Sequence, residues 1–373
     1  MPEFSIIGCG YVADLYMRSL ALHPGVRVGR VFDRDGARLA AFAAHWKLPA
    51  APSAEAFLEG LAPGSIVLNL TSPAAHFEVS RALLERGCHV YSEKPLALRL
   101  EQARTLHDLA RERGLQLASA PCSLLGEAAQ TLGRALRDGV AGTPRLVYAE
   151  LDDGFIPQAP LAAWQSESGA PWPAADEFAT GCTLEHAGYY LSWLIGFFGP
   201  VTRLTACAAE LLPGKAGGGG APDFSTAVLQ FAEGPVARLT CSIIAPHDHR
   251  IRVIGDRGVL AIGRAWDNGA PLRFHRRFTL RRRLLEMPLG RRLRLRGATH
   301  PKPGRRGAAA MNFALGPMEL AEAVAAGRRA RLGGDFALHL NEVTLAIQNA
   351  GPAGHSARMT TSCARPEPMP WAR

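Results

Sequence analysis

Two short motifs in this chain carry residues that could bind a dinucleotide and act on a substrate beside it. The first is the glycine turn Gly8-Cys9-Gly10-Tyr11-Val12-Ala13. In such a turn the first glycine permits a tight bend, the second lets the backbone approach a pyrophosphate, and a small third residue lets strand and helix pack closely. The free N–H groups of the following helix would bind the phosphates. We therefore predict a dinucleotide site at Gly8, Gly10, Tyr11, Val12 and Ala13.

An acidic residue, Asp33, ends the predicted second strand downstream of this turn. A carboxylate at this place can accept hydrogen bonds from the adenosine ribose hydroxyls and repels a 2′-phosphate, which favours NAD. The neighbouring Arg34 could accommodate such a phosphate, so NADP stays open as the cofactor. A simpler interpretation of Asp33 is a turn residue that begins a helix.

The second motif is Glu93-Lys94-Pro95, which follows a predicted strand at the edge of the sheet where ligands of such folds bind. Pro95 biases Lys94 toward extended backbone and would hold the lysine at the strand end. A lysine near a nicotinamide can hydrogen-bond a substrate hydroxyl as hydride leaves, and burial would lower its pKa. Glu93 could bind the nicotinamide ribose. A surface ion pair is the competing interpretation of this motif.

The order of apolar runs indicates the elements that position these motifs. Over residues 1–120, short apolar runs alternate with amphipathic stretches, which predicts repeated strand and helix units and a parallel sheet covered on both faces. Over residues 121–350, strand candidates follow one another through turns, which predicts an α+β domain with a mostly antiparallel, open sheet. Residues 351–373 are predicted to be a poorly ordered tail. The predicted fold class is α/β, a doubly wound parallel sheet followed by this α+β domain.

Together with the run Asn69-Leu70-Thr71-Ser72-Pro73-Ala74-Ala75-His76, the two motifs resemble the family of glucose-fructose oxidoreductase, inositol dehydrogenase and MocA. The resemblance is close over residues 1–120 and looser as far as Gln348. It implies an amino-terminal Rossmann domain and NAD(P)-dependent redox of sugars, cyclitols and sugar nucleotides. It also implies a second domain that binds the substrate and builds a homodimer or homotetramer. Further contacts to the cofactor are implied for Thr71, Ser72, Pro73 and His76.

A second motif of that family, Gly-Gly-x-x-Leu-x-Asp-x-Gly-x-His, lies on a helix of the second domain and presents its Asp and His to the substrate. The matching stretch here runs from Gly181 to Tyr190, with His186 at the Asp position and Tyr190 at the His position. Members of the glucose-fructose oxidoreductase and dihydrodiol dehydrogenase type also carry tyrosine there, as the proton donor or acceptor. His186 in place of the acid disfavours polyol dehydrogenation of the inositol type.

The residue types of this stretch support a catalytic role. Tyr190 and His186 are four residues apart, so a helix would present them on one face. The positive charge of Lys94 would favour a tyrosine phenolate and make Tyr190 an acid or base for a carbonyl or an alcohol. His186 could orient Tyr190 or contact the substrate, and a buried structural histidine is the alternative. Tyr189 is expected simply to pack. Lys94, Tyr190 and His186 are thus the predicted catalytic residues.

The loop before this helix contains residues suited to binding a sugar. Trp164 and Trp172 could stack on the apolar face of a sugar ring, and Glu177 could accept hydrogen bonds from its hydroxyls. Loop packing explains the two tryptophans about as well. The family often has an Asn-x-Arg element after the last Rossmann strand, whereas this chain has Ala120-Pro121-Cys122-Ser123, so no substrate identity carries over.

The net charge of +9 comes from one segment. Residues 272–306 contain twelve Arg and one Lys against the single acid Glu286, a local charge of +12, so the rest of the chain sums to −3. Nucleic-acid binding is not expected, because no reading motif accompanies the charge. The preferred interpretation is a solvated edge or a subunit contact. Contact with an anionic membrane surface stays open.

The seven cysteines are scattered and include no Cys-x-x-Cys pair, which fits reduced thiols in a cytoplasm better than disulfides or a zinc site. No metal site is predicted. The sequence therefore predicts a cytoplasmic NAD(P)-dependent oxidoreductase that acts on CH–OH groups of a sugar, a sugar nucleotide or a related small molecule. The alternative is a dinucleotide-binding sensor or scaffold without turnover, motivated by His186 and the missing Asn-x-Arg element.

Overall fold

The first part of the chain folds into a five-stranded parallel sheet in the computed structural model, which describes residues 2–215, 220–305 and 307–373. Its strands are β1 Glu3–Ile7, β2 Arg27–Phe32, β3 Ile66–Asn69, β4 His89–Ser92 and β5 Leu117–Ser119. They pair in the order β2-β1-β3-β4-β5, and every pairing is parallel. The order reverses between β1 and β3, which leaves a crevice at the carboxyl ends of the strands where ligands bind in this fold class.

Helices cover both faces of this sheet: α1 Tyr11–Leu20, α2 Gly36–Trp46, α3 Ala54–Glu59, α4 His76–Glu85 and α5 Leu100–Glu112. Val67 and Leu68 are neighbours in β3 and are both fully buried, on opposite faces of the sheet. Leu68 packs in the cluster that contains Tyr16 of α1, and Val67 packs in the cluster that contains Leu83 of α4. Burial on both faces explains why the inner strand β3 is apolar at three of its four positions.

The second part of the chain is built on an eleven-stranded, mostly antiparallel sheet. Its strands are β6 Pro144–Phe155, β7 Val201–Ala209, β8 Phe224–Phe231, β9 Val236–Ser242, β10 Ile244–Asp248, β11 Ile251–Gly255, β12 Gly258–Ile262, β13 Leu272–Leu280, β14 Arg283–Glu286, β15 Arg291–Leu293 and β16 His355–Arg358. The long β6 is central and pairs with β9, β10 and β11. The β6–β9 pairing is parallel, and the other pairings of this sheet are antiparallel. The predicted fold class is confirmed.

Five longer helices accompany the second sheet: α6 Glu127–Arg137, α7 Ala174–Thr180, α8 Gly188–Phe198, α9 Leu315–Ala325 and α10 Asp335–Gln348. The last two return to the first half, because α9 contacts β4 and β5 while α10 contacts both α5 and β7. Leu338 of α10 is buried with α4 and α5, and Leu340 is buried in the cluster that continues into the second sheet. The chain thus crosses between the halves more than once, and a division at residues 120 and 350 stays a prediction.

The carboxy-terminal stretch is packed, so the prediction of a poorly ordered tail is wrong. β16 pairs with β7, and the amides of Thr360 and Thr361 both donate to the carboxylate of Glu342 at 2.8 Å. Further along, the amide of Met369 donates to the side chain of Gln130, and Ala372 is fully buried. A carboxylate that accepts two backbone amides holds a chain segment firmly, and the residue types of the tail alone gave no sign of that partner.

The arginine-rich segment forms β13, β14, β15 and the loop after them, apart from Arg306, which lies outside the described residues. It lies at one edge of the second sheet, where Leu284 and Leu289 are 63% and 87% exposed. The placement agrees with a solvated edge or a subunit contact, and membrane contact has no test here. Among the described residues, helices are too short or too polar to cross a bilayer.

Candidate active site

A cavity of about 1770 Å³ opens at the carboxyl ends of β1 to β4 and is closed on the other side by the second half of the chain. Small-molecule sites usually have volumes of roughly 300–1000 Å³, so this one has room for a dinucleotide together with a substrate. Most predicted site residues line it: Gly8, Gly10, Tyr11, Val12, Asp33, Arg34, Thr71, Ser72, Pro73, Glu93, Lys94, Trp164, Trp172, Glu177 and His186. The predicted residues Ala13, His76 and Tyr190 lie behind this lining.

The glycine turn has the geometry that a pyrophosphate site needs. Gly8 has a φ of +97°, and a Cβ atom there would lie 2.5 Å from the carbonyl group of Leu70. Gly10 precedes α1, and a Cβ atom on it would meet nothing within 4 Å, because that side of the backbone faces the cavity. Ala13 is fully buried, as expected for the small residue that lets α1 pack on the sheet. The turn therefore fits a dinucleotide whose phosphates approach Gly10 and the start of α1.

Asp33 has a structural task that the sequence did not show. Its carboxylate accepts the amide of Cys9 in the glycine turn at 2.7 Å and the amide of Asp35 at 2.9 Å. The side chain is buried, and the guanidinium of Arg38 lies 3.7 Å away. Each carboxylate oxygen has a further lone pair, so the group can still accept a ribose hydroxyl. Arg34 and Arg38 both line the cavity beside it.

His76 positions two cofactor-site loops and does not line the cavity, which corrects its predicted role as a direct contact. The ring is fully buried, with Nδ1 2.7 Å from the carbonyl oxygen of Pro95 and Nε2 2.9 Å from that of Thr71. Burial lowers the pKa of His76 against the opposing effect of these carbonyls. Both nitrogens are therefore occupied, and the ring links the Thr71 turn to the loop after β4.

Glu93 lies at the end of β4 and is held by two donors. The Tyr16 hydroxyl donates to one carboxylate oxygen at 2.5 Å, and the Lys94 amide donates to the other at 3.1 Å. Burial, followed by the charge of Glu93, raises the pKa of Tyr16 well above its usual range, so the phenol remains a donor. Glu93 thus lines the cavity with both oxygens fixed, and Tyr16 is a supporting residue that the sequence did not reveal.

Lys94 forms a buried ion pair with Glu185, a residue absent from the predicted set. The Glu185 side chain is 3% exposed and that of Lys94 is 18% exposed. Burial pulls the pKa of Lys94 down, but the carboxylates of Glu185, Glu177 and Glu93 outweigh it and hold that pKa well above its usual range. The expected lowering of the Lys94 pKa is therefore wrong, and the ammonium stays charged.

The tyrosine that lines the cavity is Tyr189, which corrects the choice of Tyr190. Residues Thr183–Ala187 form a π-helical turn immediately before α8. The cavity receives Glu185 and Tyr189, which are four residues apart like the predicted pair, together with His186, whereas Tyr190 is not part of its lining. Tyr190 is 1% exposed and packs near Trp193 with ring centroids 6.4 Å apart.

Tyr189 is held by an aromatic contact and influenced by the lysine. Its ring centroid lies 4.2 Å from that of Trp266, which also lines the cavity. Burial raises the pKa of Tyr189, and the nearby charge of Lys94 opposes that rise. Tyr189 is thus a neutral phenol, a hydrogen-bond donor at neutral pH. The expectation that Tyr189 only packs is not supported, because its side chain reaches the cavity.

The loop that contains Trp164 and Trp172 lies along the cavity, and its role in binding a sugar stays a prediction. Trp164 and Trp172 meet edge to face, with centroids 5.3 Å apart, and both line the cavity with Glu177. The loop is tied to α1, because the hydroxyl of Ser168 donates to the carboxylate of Asp14 at 2.7 Å. Burial and the neighbouring Glu185 carboxylate raise the pKa of Glu177 well above its usual range. Glu177 therefore keeps its proton to a higher pH than an ordinary glutamate, and in the protonated form it can donate as well as accept a hydrogen bond.

His186 lines the cavity and lies beside an acid that the sequence analysis missed. Its Nδ1 atom lies 3.6 Å from the carboxylate of Asp153. His247 and His249 approach the same carboxylate, at 3.6 Å and 3.1 Å. The only local signal in the sequence was the pair of histidines two residues apart, and their partner lies on a distant strand.

Comparisons with known proteins agree with this geometry. Residues 3–120 match the family described as an oxidoreductase family with an NAD-binding Rossmann fold. Residues 129–261 match the GFO/IDH/MocA C-terminal domain. Both matched regions contribute to the cavity lining, whereas Trp266 and the other lining residues after position 261 lie outside them.

Two curated relatives are sugar-nucleotide enzymes. The UDP-N-acetylglucosamine 3-dehydrogenase of Acidithiobacillus ferrooxidans is 32% identical over 153 residues, which are 41% of this chain and 46% of that protein. The dTDP-3,4-didehydro-2,6-dideoxy-α-D-glucose 3-reductase of Streptomyces antibioticus is 36% identical over 151 residues, 39% of this chain and 45% of that protein. The chain thus matches about half the length of these relatives.

A solved structure shows the same fold over almost the whole chain. It is a 3-ketoreductase from Actinomadura kijaniata in complex with NADP and TDP-benzene, with a TM-score of 0.71 and 21% identity. The match covers 94% of this chain and 98% of that one. Both halves of the chain therefore share one known architecture.

We expect Gly8→Ala to lower the stability of the protein and Gly10→Ala to weaken cofactor binding. In Gly8→Ala the new Cβ atom meets the Leu70 carbonyl at 2.5 Å in a left-handed conformation, so we expect a loss of about 3 kcal/mol or more in the free energy of unfolding. In Gly10→Ala the methyl group fills only the space for the pyrophosphate, so stability should hold while NADH binds at least about tenfold more weakly. Thermal unfolding and NADH fluorescence titration measure both effects. Gly36→Ala, in open space at the start of α2, is the control that should change neither. A Gly10→Ala variant with normal NADH affinity would contradict the site.

The raised pKa of Glu177 predicts a pH-dependent cost to stability. In the unfolded chain the carboxyl ionises near its ordinary pKa of about 4.3, whereas in the folded protein it stays protonated to a higher pH. Between these two values folding becomes less favourable as pH rises, by at most about 1.4 kcal/mol per pH unit. Glu177→Gln removes this dependence, so the melting temperature of the variant relative to that of the wild type should increase as pH rises from 5 to 8. Glu233→Gln, in the exposed turn after β8, should run parallel to the wild type. Parallel curves for Glu177→Gln would show that this carboxyl ionises normally.

Proposed function

The chain belongs to the GFO/IDH/MocA family of oxidoreductases, and from this premise we propose that it transfers hydride between NAD(P) and a carbon that carries a hydroxyl or carbonyl oxygen in a sugar or sugar nucleotide. The observation that carries the proposal is the convergence of Lys94, Glu185 and Tyr189 in one cavity with the glycine turn. A cation, its buried counter-ion and a phenol beside a dinucleotide site are what a reaction at an alcohol or carbonyl oxygen requires.

The residues present fit a bound dinucleotide, since the space beside Gly10 is open and the cavity is large enough. Gly10 and the start of α1 would hold the pyrophosphate, Asp33 the adenosine ribose, and Glu93 the nicotinamide ribose. When bound, the nicotinamide supplies or accepts the hydride. Thr71, Ser72 and Pro73, at the end of β3, line the same side of the cavity and would border the cofactor.

Lys94 acts on the substrate oxygen. Its ammonium, kept charged by the surrounding carboxylates, donates a hydrogen bond to the oxygen of the reacting carbon. In the direction of carbonyl reduction the oxygen becomes an alkoxide, a stronger base than the lysine, and takes the proton from Nζ. Glu185 holds Lys94 in place and stabilises the cation again when it is reprotonated. Oxidation of the alcohol follows the same steps in reverse.

Tyr189 supplies a second donor to the same oxygen. As a neutral phenol it donates a hydrogen bond that stabilises negative charge on the substrate oxygen, whereas a phenolate would repel that charge. Trp266 fixes the direction of its ring. The proposed polar pair is therefore Lys94 with Tyr189, positioned by Glu185 and Trp266.

The substrate class follows from the wall opposite the glycine turn. Trp164 and Trp172 offer apolar faces for a pyranose ring, and the protonated Glu177 can donate to a ring hydroxyl. Arg264 and Arg305 line the same cavity and suit the diphosphate of a sugar nucleotide. The names of the two curated relatives, both acting at position 3 of a nucleotide-linked sugar, support this choice.

One alternative is not favoured, and two further expectations stay predictions. A sensor or scaffold without turnover is not favoured, because the relatives are named as a dehydrogenase and a reductase. A homodimer or homotetramer through the second sheet is supported by the exposed leucines at its edge. A cytoplasmic location is supported by the seven cysteines, all of which are free thiols.

Substitution of the polar pair should separate Tyr189 from Tyr190. Lys94→Ala should lower kcat by about 10²–10⁴-fold, and Tyr189→Phe by about 10–10³-fold, because both remove a donor to the reacting oxygen. Tyr190→Phe is the matched control, which should keep kcat within about twofold because its hydroxyl lies outside the cavity. Steady-state kinetics on a sugar nucleotide identified by screening measure the rates, and NADH fluorescence checks that the cofactor still binds. Normal turnover in Lys94→Ala combined with Tyr189→Phe would exclude this mechanism.

The cofactor preference should depend on the charge of Asp33. Asp33→Asn keeps an acceptor for the Cys9 amide but removes the charge that repels a 2′-phosphate, while Arg34 and Arg38 remain. We expect the ratio of kcat/KM for NAD to that for NADP to fall by about tenfold or more, equal to about 1.4 kcal/mol. Asp35→Asn is the control, since this neighbouring carboxylate caps α2 and asparagine caps equally well. An unchanged ratio in Asp33→Asn would remove Asp33 from the choice of cofactor.

A further inference from the structure

A second cluster of ionisable side chains lies on the wall of the same cavity. It consists of Asp153, His247 and His249, whose nearest donor atoms all lie within 4.8 Å of one another. Asp153 belongs to β6, His247 to β10, and His249 to the connection before β11. All three line the cavity. The proposed hydride transfer uses none of them.

The sheet brings these residues together through an irregular pairing. β10 runs antiparallel to β6, and its register shifts between Ala245 and Asp248. The shift leaves His247 beside Gly154, where an added Cβ atom would meet the imidazole ring at 3.3 Å. Gly154 also has a φ of +83°. Glycine at position 154 is thus needed for His247 to approach the carboxylate of the neighbouring Asp153.

Aromatic packing orients the second histidine. The His249 ring stacks on Trp266 with centroids 5.7 Å apart and planes 26° from parallel. His247 meets His249 edge to face at 5.0 Å. Because Trp266 also packs on Tyr189, the cluster is joined to the proposed reaction site through one indole ring.

The nitrogen atoms that face Asp153 lack hydrogen bonds. His249 Nε2 is buried and lies within ion-pair distance of an Asp153 oxygen, at 3.1 Å, but it forms no well-aligned hydrogen bond with the described residues. His186 Nδ1 is likewise buried and lies 3.6 Å from the other oxygen, also without a hydrogen bond to the described part of the chain. Leaving such polar atoms unpaired costs about 1–3 kcal/mol each, so their convergence needs a partner.

We propose that Asp153, His247 and His249 bind one divalent transition-metal ion, with Zn²⁺ as the first candidate. Two imidazoles and one carboxylate are a donor set that such ions prefer, whereas Mg²⁺ and Ca²⁺ prefer oxygen ligands. Three protein ligands leave at least one coordination position open, on the side of the cavity. His186, whose Nδ1 atom lies 3.6 Å from the second oxygen of Asp153, borders the site.

The open position would take an oxygen atom of the substrate, a role that rests on the proposed function. A metal-bound hydroxyl or carbonyl oxygen of a sugar would be oriented between Trp266 and Lys94, and its electrons would be drawn toward the metal. The metal site itself depends only on the three ligands, so it can be tested without a substrate.

Zinc binding to the untagged chain tests the site. After chelator treatment and dialysis, the protein should bind one Zn²⁺ per chain by elemental analysis, and Co²⁺ should give visible absorption bands of a site with nitrogen ligands. Asp153→Asn and His249→Gln should each lose stoichiometric binding. His247→Gln should also lose it, and because that side chain is 68% exposed this variant should fold even if the buried ones do not. His355→Gln, on the exposed β16, should bind like the wild type. Absence of stoichiometric binding, or equal binding by His247→Gln, would overturn the proposal.

A second measurement separates this proposal from the proposed function. NADH affinity should be the same with and without Zn²⁺, while turnover should fall at least about tenfold on metal removal and return on its addition. Stoichiometric zinc without NADH binding would support the metal site and overturn the oxidoreductase. NADH turnover in a protein that binds no zinc would support the oxidoreductase and overturn the metal site. Zinc binding with turnover unaffected by its removal would overturn the substrate role of the metal.

Discussion

The buried ion pair between Lys94 and Glu185 is the interaction on which the rest of the site depends. It joins the end of a strand in the parallel sheet to a π-helical turn of the second half of the chain. An unpaired buried charge typically costs about 3–5 kcal/mol, which is also the cost of keeping the two partners apart. The strand end that carries Lys94 and the turn that carries Glu185 must therefore be held within reach of each other. The surrounding hydrogen bonds do this. His76 links the loop of Lys94 to the Thr71 turn, and Tyr16 fixes the neighbouring Glu93.

On the cofactor side of the cavity, one side chain likewise has two roles. Asp33 accepts an amide of the glycine turn and also borders the space for the adenosine ribose, so one carboxylate shapes the turn and sets the charge that a cofactor meets. On the substrate side Trp266 packs on both Tyr189 and His249. Side chains that select ligands are thus the side chains that fix the loops, and a substitution at either place changes geometry and chemistry together.

The sequence predicted well what depends on neighbours in the chain. The glycine turn, the Glu93-Lys94 strand end and the alternation of strands and helices each follow from local residue types, and the structure has them in place. Tyr190 was chosen in place of Tyr189 because the family motif placed it at the His position, whereas the pair with the same four-residue spacing that lines the cavity, Glu185 and Tyr189, begins one residue earlier. The cluster of Asp153 with His247 and His249 could not be predicted, because it depends on a register shift between two strands far apart in sequence.

The charges around Lys94 do not balance within the protein, and this imbalance relates the site to its cofactor. Glu93, Glu177 and Glu185 act on one ammonium group, and the repulsion is relieved in part by protonation of Glu177. When Glu177 is protonated, Glu93 and Glu185 together still carry one negative charge more than Lys94 balances, and an uncompensated charge in a buried region is costly. The nicotinamide ring of an oxidised dinucleotide is a cation and would lie beside Glu93. The carboxylate surplus would therefore favour the oxidised cofactor over the reduced one, and loss of that positive charge on hydride transfer would raise the pKa values of Lys94 and Glu177 further in the reduced state.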